Sequence, residues 1–340
     1  MKDTFVSKKR FTVVICLFFL FTLITAALAP LIGQTRISLL KALSGGPNAV
    51  DNVDASIFFL ARLPRVFLAL VAGAALAVAG AVFQAILRND LAAPITLGVS
   101  GGAALGAVLA FRLGLTFTIL GFSTVSLCAF AGSLVALGVV FSLVRARQGE
   151  LPTATLLLAG VTVNFFFASL VMLVHYLSNT AQSYQIVRWL MGGLDIIDFG
   201  PTLSICPLVI AAIFILIYIA RDLNLISGGV QSALSRGVNV PVIQFIGLVA
   251  ASILTGAVVA LTGPIGFVGL IVPHITRLIV GPDHRLLLPA TILFGASFLV
   301  ICDTLARTVI APTEIPVGVV TAIIGGPFFF WLLRKQQRAS

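Results

Sequence analysis

Residues 64–87 read P-R-V-F-L-A-L-V-A-G-A-A-L-A-V-A-G-A-V-F-Q-A-I-L, 24 positions whose only charge is Arg65 near the start. A helix of that length rises about 36 Å, enough to cross a hydrocarbon core of about 30 Å. The Ala and Gly in its middle let neighbouring helices approach closely in lipid. Similar apolar runs cover residues 11–29, 93–111, 116–143, 153–175, 200–219, 239–262, 264–280, 286–308 and 314–333, which predicts ten spans in all. Pro and paired Gly at run ends predict short or broken helices around 94–102 and 263–273.

The whole chain agrees with that stretch. Of 340 residues, 59% are hydrophobic and 9% charged, with a mean hydropathy of +1.16. Soluble globular domains carry about 25% charged residues, so lipid is the remaining solvent for this much apolar surface. The net charge of +10 does not indicate nucleic acid, because the Lys and Arg sit at the edges of apolar runs rather than in one patch. Cys16, Cys128, Cys206 and Cys302 lie within apolar runs, without metal-site or disulfide spacing.

Lys8, Lys9 and Arg10 precede the first run, whose end, A-A-L-A, has the look of a cleavage site. At 19 residues that run exceeds a signal-peptide core of about 7–15, and it reads as an uncleaved first helix. With the N-terminus in the cytoplasm, ten spans place 14 of the 21 Lys and Arg on the cytoplasmic side. The other seven, Arg36, Lys41, Arg62, Arg65, Arg112, Arg188 and Arg307, fall outside. This bias favours both termini in the cytoplasm. G-A-A-L-A-V-A-G at Gly73–Gly80 is also similar to G-A-V-V-A-L-T-G at Gly256–Gly263, in the second and seventh spans. That similarity fits an inverted five-helix repeat, and equally chance between two helices of small residues.

Chemistry is sparse. There is no phosphate-binding G-x-x-x-x-G-K-[ST] loop and no H-E-x-x-H motif, so no catalytic, cofactor or metal residue is assigned. His175, His274 and His284 lie near run ends, where structural or interfacial roles suffice. Any ATP-driven activity needs a separate ATPase. The longest polar interruption, Arg221–Val240, mixes Leu225, Ile226, Val230 and Leu234 with polar residues. It predicts two short helices turning at Gly228–Gly229, either docked on a soluble partner or lying as an interfacial loop. On the outer side, Arg62 and Arg65 mark the entry to the second span, and Asp303 and Arg307, four apart, have helical pairing distance. Those arginines suit an acidic partner or simple snorkelling to lipid headgroups.

The stretch from Arg62 through Leu105 resembles the signature region of FecCD-type permeases, membrane subunits of binding-protein-dependent ABC importers for iron-siderophores, haem and cobalamin. L-N-L at Leu223–Leu225, R-G-V-N-V at Arg236–Val240, G-P-I-G-F-V-G-L-I-V-P-H-I-T-R at Gly263–Arg277 and E-I-P-V-G-V-V-T-A-I-I-G-G-P-F-F-F-W-L-L at Glu314–Leu333 are similar to that family in the same order. The resemblance implies an all-α type II ABC importer permease fold, one transmembrane domain over 1–340, in a bacterial or archaeal cytoplasmic membrane. It implies a second permease subunit, identical or paralogous, and two cytoplasmic ATPases carrying ATP and Mg. It also implies a periplasmic or lipid-anchored substrate-binding protein.

By the same resemblance, ATPase coupling maps to the 221–240 element, at Arg221, Leu223, Asn224, Leu225, Gly228, Gly229, Leu234, Arg236 and Gly237. Binding-protein docking maps to Arg62, Arg65 and Arg307, and the pathway to the region of Asn164, Phe165, Phe166 and Ser169. One departure stands out: many members have R-N-P-L-A-D-P where this chain has R-N-D-L-A-A-P at Arg88–Pro94, so Asp90 replaces a proline and Ala93 an acid. A ferric siderophore is the expected substrate because that class is broad within the family, with haem, cobalamin or an oxyanion as alternatives. An ion-coupled secondary transporter would call for acidic or polar groups in mid-membrane, which the runs almost lack. A receptor-like membrane protein would require that transport and ATPase partnership both fail.

Overall fold

Lipid leaves a backbone amide no partner but its own helix, and the apolar runs fold accordingly. The computed structural model describes residues 8–35, 37–45, 52–115, 117–119, 122–144 and 151–337. Lys2, Arg36, Arg145, Arg147 and Arg338, which enter the charge bias, lie outside them. The helices are α1 (Lys8–Leu28), α2 (Leu39–Gly45), α3 (Val53–Ser56), α4 (Leu63–Leu87), α5 (Val99–Arg112), α6 (Thr124–Leu143), α7 (Thr153–Tyr176) and α8 (Thr180–Leu190). They continue with α9 (Gly200–Tyr218), α10 (Ala220–Ser227), α11 (Val230–Ser235), α12 (Val240–Thr262), α13 (Val268–Val280), α14 (His284–Thr308) and α15 (Val317–Gln337). A π-helical turn over Ile57–Arg62 joins α3 to α4. Among the described residues, seven helices are long and apolar enough to cross a membrane: α1, α4 with its preceding turns, α6, α7, α9, α12 and α14. The apolar helices α5 and α13, and the apolar part of α15 over Val317–Leu332, are shorter.

The predicted breaks are present, and they shorten two expected spans. After α4, Arg88 takes a left-handed conformation at φ 47°, and a 3-10 turn at Pro94–Leu97 leads through Gly98 into α5. After α12, Gly263 and Pro264 stop the helix, and Phe267, at φ 67°, starts α13. A further difference concerns residues 116–143, which read as one apolar run. There, Thr118–Ile119 pairs antiparallel with Phe122–Ser123, and α6 begins only at Thr124, whose hydroxyl donates to the Phe117 carbonyl. Hydropathy does not separate a short apolar strand from an apolar helix.

Helix α4 is the axis of the packing, in contact with α9, α10, α12, α13 and α14. Its small residues explain this. A Cβ on Gly73 would collide with the Gly295 carbonyl of α14, and one on Gly80 with the backbone at Gly269 of α13. The helices therefore touch through their backbones, where dispersion contacts are densest. A second group packs α5 against α6 and α7, and α12 touches both groups. Helix α1 lies along α14: Thr22 Oγ1 donates to the Leu293 carbonyl at 3.0 Å, and Phe18 meets Phe294 edge-on. Arg10, Asp90, Arg277 and the α10–α11 pair share one face, the basic face, while Arg62, Arg65, Asp303 and Arg307 cluster at the opposite ends of α4 and α14.

Candidate functional site

At the face opposite the basic one, α4 and α14 end side by side. The last turns of α14 carry Asp303 and Arg307, which pair at 2.9 Å across i, i+4 as their spacing predicts. The same carboxylate takes Arg65 Nε at 2.7 Å from its other oxygen, with only 1% of the Asp303 side chain exposed. One buried acid thus neutralises parts of two guanidiniums. Arg65 Nη1 also meets Glu314 at 2.7 Å and Asp195 at 3.2 Å, from the segments that precede α15 and α9. Two of the three outer arginines do not face solvent. Arg62 and Arg307 are buried, donating to the carbonyls of Pro30 and Thr35 and of Ala29 and Ile32. Neutral carbonyl oxygens compensate the desolvated guanidiniums and strap residues 29–35 over the ends of α4 and α14.

Two of the hollows on this face border Arg65. Arg62, Arg65, Arg307 and Glu314 all line the smaller, of about 160 Å³, so the three arginines singled out in the sequence do converge. The larger, about 460 Å³, is lined by Arg65, Arg188, Asp195 and Glu314 among apolar neighbours. Arg188 is well exposed, and its hydrogen bond to Asp195 at 3.1 Å raises its pKa from the ordinary value.

On the basic face, α10 and α11 turn at Gly228–Gly229 and build a small core from Ile226, Val230, Ala233, Val238 and Val240, against which Leu225 and Leu234 pack. Leu223 is fully buried. Arg221, Gly228, Arg236 and Gly237 are left exposed, with Gly229 and Gly237 at positive φ. Asn224 ties this element to the bundle. Its amide donates to Asp283 at 2.7 Å, and its carbonyl accepts from the His284 backbone amide at 2.8 Å and lies 2.7 Å from the imidazole Nδ1. Asp283 caps α14, and the Arg285 guanidinium, together with Asn224, holds its carboxyl down at about 2. Nearby, Arg277 bridges Asp90 at 2.6 Å and Gln84 at 2.9 Å, fastening the loop after α4 to the end of α13.

The pathway residues divide. Phe165, Phe166 and Ser169 lie on an exposed face of α7, whereas Asn164 is half-buried against Gly101 of α5. Among the described residues, no group of three His, Cys, Asp or Glu gathers as metal ligands.

The model of the FecCD transport family matches residues 17–335, nearly the full length of the chain. The chain belongs to the FecCD transport family. It is 42% identical to the hemin transport system permease HmuU of Yersinia pestis, over 81% of this chain and 82% of that protein. It is also 42% identical to the cobalamin import permease BtuC of Halobacterium salinarum, over 81% and 73% of the two chains. An uncharacterised ABC transporter permease of Bacillus subtilis, YvrB, is 39% identical over 92% of this chain and 88% of the relative. A solved structure described as an inward-facing metal-chelate type ABC transporter matches with a TM-score of 0.82 and 32% identity, covering 95% of this chain and 99% of the other.

This FecCD permease is therefore a polytopic, all-helical subunit of an ABC transporter in the cytoplasmic membrane, apart from the two-residue ladder at 118–123. It is not an enzyme: ATP and Mg belong to separate ATPase subunits, which work with a permease pair and a substrate-binding protein. Sequence reasoning passed over the carboxylates of this permease that matter most. Asp195 and Glu314 lie in loops and meet Arg65 from 130 and 249 residues away, separations at which no local spacing signals a pair.

Proposed function

We propose that this permease forms, with a second copy or a paralogue, the pathway of an importer for a metal-bearing macrocycle, a haem- or cobalamin-like chelate. The observation that carries this is the pair of 42% relatives named for hemin and cobalamin, which favours the macrocycle over the ferric siderophore expected from the sequence. The exposed apolar face of α7, with Phe165 and Phe166, suits a flat and partly apolar cargo. In this reading the chain has ten spans with both termini cytoplasmic, α5, α13 and α15 being the short ones. The repeat gains support from packing: Gly73 of α4 presses on α14 as Gly256 of α12 presses on Ser133 of α6, so the second span meets the ninth as the seventh meets the fourth. The α10–α11 element meets the ATPase on the cytoplasmic face. The hollow at Arg62, Arg65 and Arg307 receives acidic side chains of the loaded binding protein, where opposite charge steers encounter. ATP turnover then opens the pathway alternately to the two faces.

The test is uptake into proteoliposomes holding the complete transporter and its binding protein, with hemin, cobalamin and a ferric siderophore offered in turn. ATP-dependent uptake of a macrocycle is expected. Uptake of the siderophore alone would overturn the substrate assignment.

A further inference from the structure

The smaller hollow contains three guanidiniums and one half-exposed carboxylate, Glu314. The partners of Arg65 there fall into two kinds. Its Nε is committed to Asp303, which is 1% exposed and also holds Arg307, so this contact is out of reach of any incoming group. Its Nη1 is held by Glu314 and Asp195, whose side chains are 42% and 51% exposed and which stand on segments outside α4 and α14. Solvent-exposed ion pairs are weak and exchangeable, whereas a buried charge left without its partner is strongly disfavoured. A carboxylate arriving from outside therefore cannot reach Arg65 Nη1 without displacing one of these two, and it has no need to disturb Asp303.

We infer that Glu314, with Asp195 as its second, is a built-in stand-in for the acidic side chain of the docking protein. It occupies Arg65 while the face is empty and gives way on docking. This rests on the docking reading above. The arrangement keeps Arg65 paired at every stage, and it tempers affinity, because each docking event exchanges one ion pair for another rather than adding one. The two acids also stand on one connected rim beside the larger hollow: the Gly318 amide donates to the Gly192 carbonyl at 3.1 Å, while Ile315 N–H to the Ala306 carbonyl and Gly193 N–H to the Thr262 carbonyl keep that rim on the bundle, so only the carboxylate side chains need to give way.

The test measures binding of the transporter's own fluorescently labelled binding protein to the complete permease–ATPase complex in nanodiscs, across a salt series. Glu314→Gln should tighten binding about two- to fivefold at low salt and steepen its salt dependence, and Asp195→Asn should act in the same direction. In the Arg65→Gln background, Glu314→Gln should produce no tightening. Unchanged or weaker binding in Glu314→Gln, while Arg65→Gln still weakens binding, would overturn the stand-in and leave docking intact. Binding indifferent to Arg65→Gln would overturn the docking reading itself. If Glu314→Gln fails to assemble, Asp195→Asn, on an exposed loop, decides between the same outcomes.

Discussion

Asp303 is a single carboxylate with two guanidiniums to hold, and it is almost fully buried. Removing its charge leaves the Nε groups of Arg65 and Arg307 without their buried counter-charge, though Arg65 keeps Glu314 and Asp195 and Arg307 its carbonyl partners, so Asp303→Asn should cost about 3 kcal/mol, read as a lowered midpoint of denaturant unfolding in detergent. Half of this cluster was legible in the sequence: the i, i+4 step from Asp303 to Arg307 is a local rule, while the Arg65 contact spans 238 residues and needs the packing of α4 on α14. Asp90 has the same history. Its place in R-N-D-L-A-A-P reads only as a departure from a pattern, and the structure gives it a partner in Arg277. With Asp90 about half exposed, Asp90→Ala should cost at most about 1 kcal/mol of stability. Its main effect should be slower uptake at unchanged ATPase activity, from a loosened loop. Asp283 sets a pH expectation. Its folded pKa, about 2, lies below the ordinary 3.8, so its contribution is present above about pH 4 and is lost as pH falls through 2. Asp283→Asn should therefore leave the shape of the uptake profile between pH 5 and 8 unchanged.

At the scale of elements, the α10–α11 pair was legible because its apolar residues are spaced for one buried side and Gly228–Gly229 interrupts them. What the pattern could not show is that Leu225 and Leu234 pack against the element's own core, so charges there would unfold it as well as uncouple it. Asn224→Ala is the cleaner probe. It removes the tie to Asp283 and His284 while leaving the small core whole, and it should lower uptake several-fold with ATP hydrolysis largely retained, measured together in one proteoliposome preparation. Backbone contact between helices gives a second expectation. Gly80→Val forces a side chain into the Gly269 backbone, and it should exceed the usual overpacking cost of about 1–3 kcal/mol and lower the yield of folded permease from detergent.

For the whole molecule, composition alone was enough to show a helical membrane protein, and Pro and Gly marked where helices break. The pairing of Thr118–Ile119 with Phe122–Ser123 escaped because it lies inside a longer apolar run. Helices α4 and α14 together reach from Gln84 and His284 at the basic face to Arg65 and Asp303 at the other. Between those ends they touch backbone to backbone at Gly73 and Gly295, flanked by Ala77 and by Cβ of Leu299. Interdigitated side chains can switch packing, but two bare backbones in contact have no alternative register nearby. The pair should therefore act as a fixed mast around which the rest of the transporter swings: spin labels near residues 73 and 295 should hold one distance through the nucleotide cycle, while labels on the exposed faces of α7 and α15 should not.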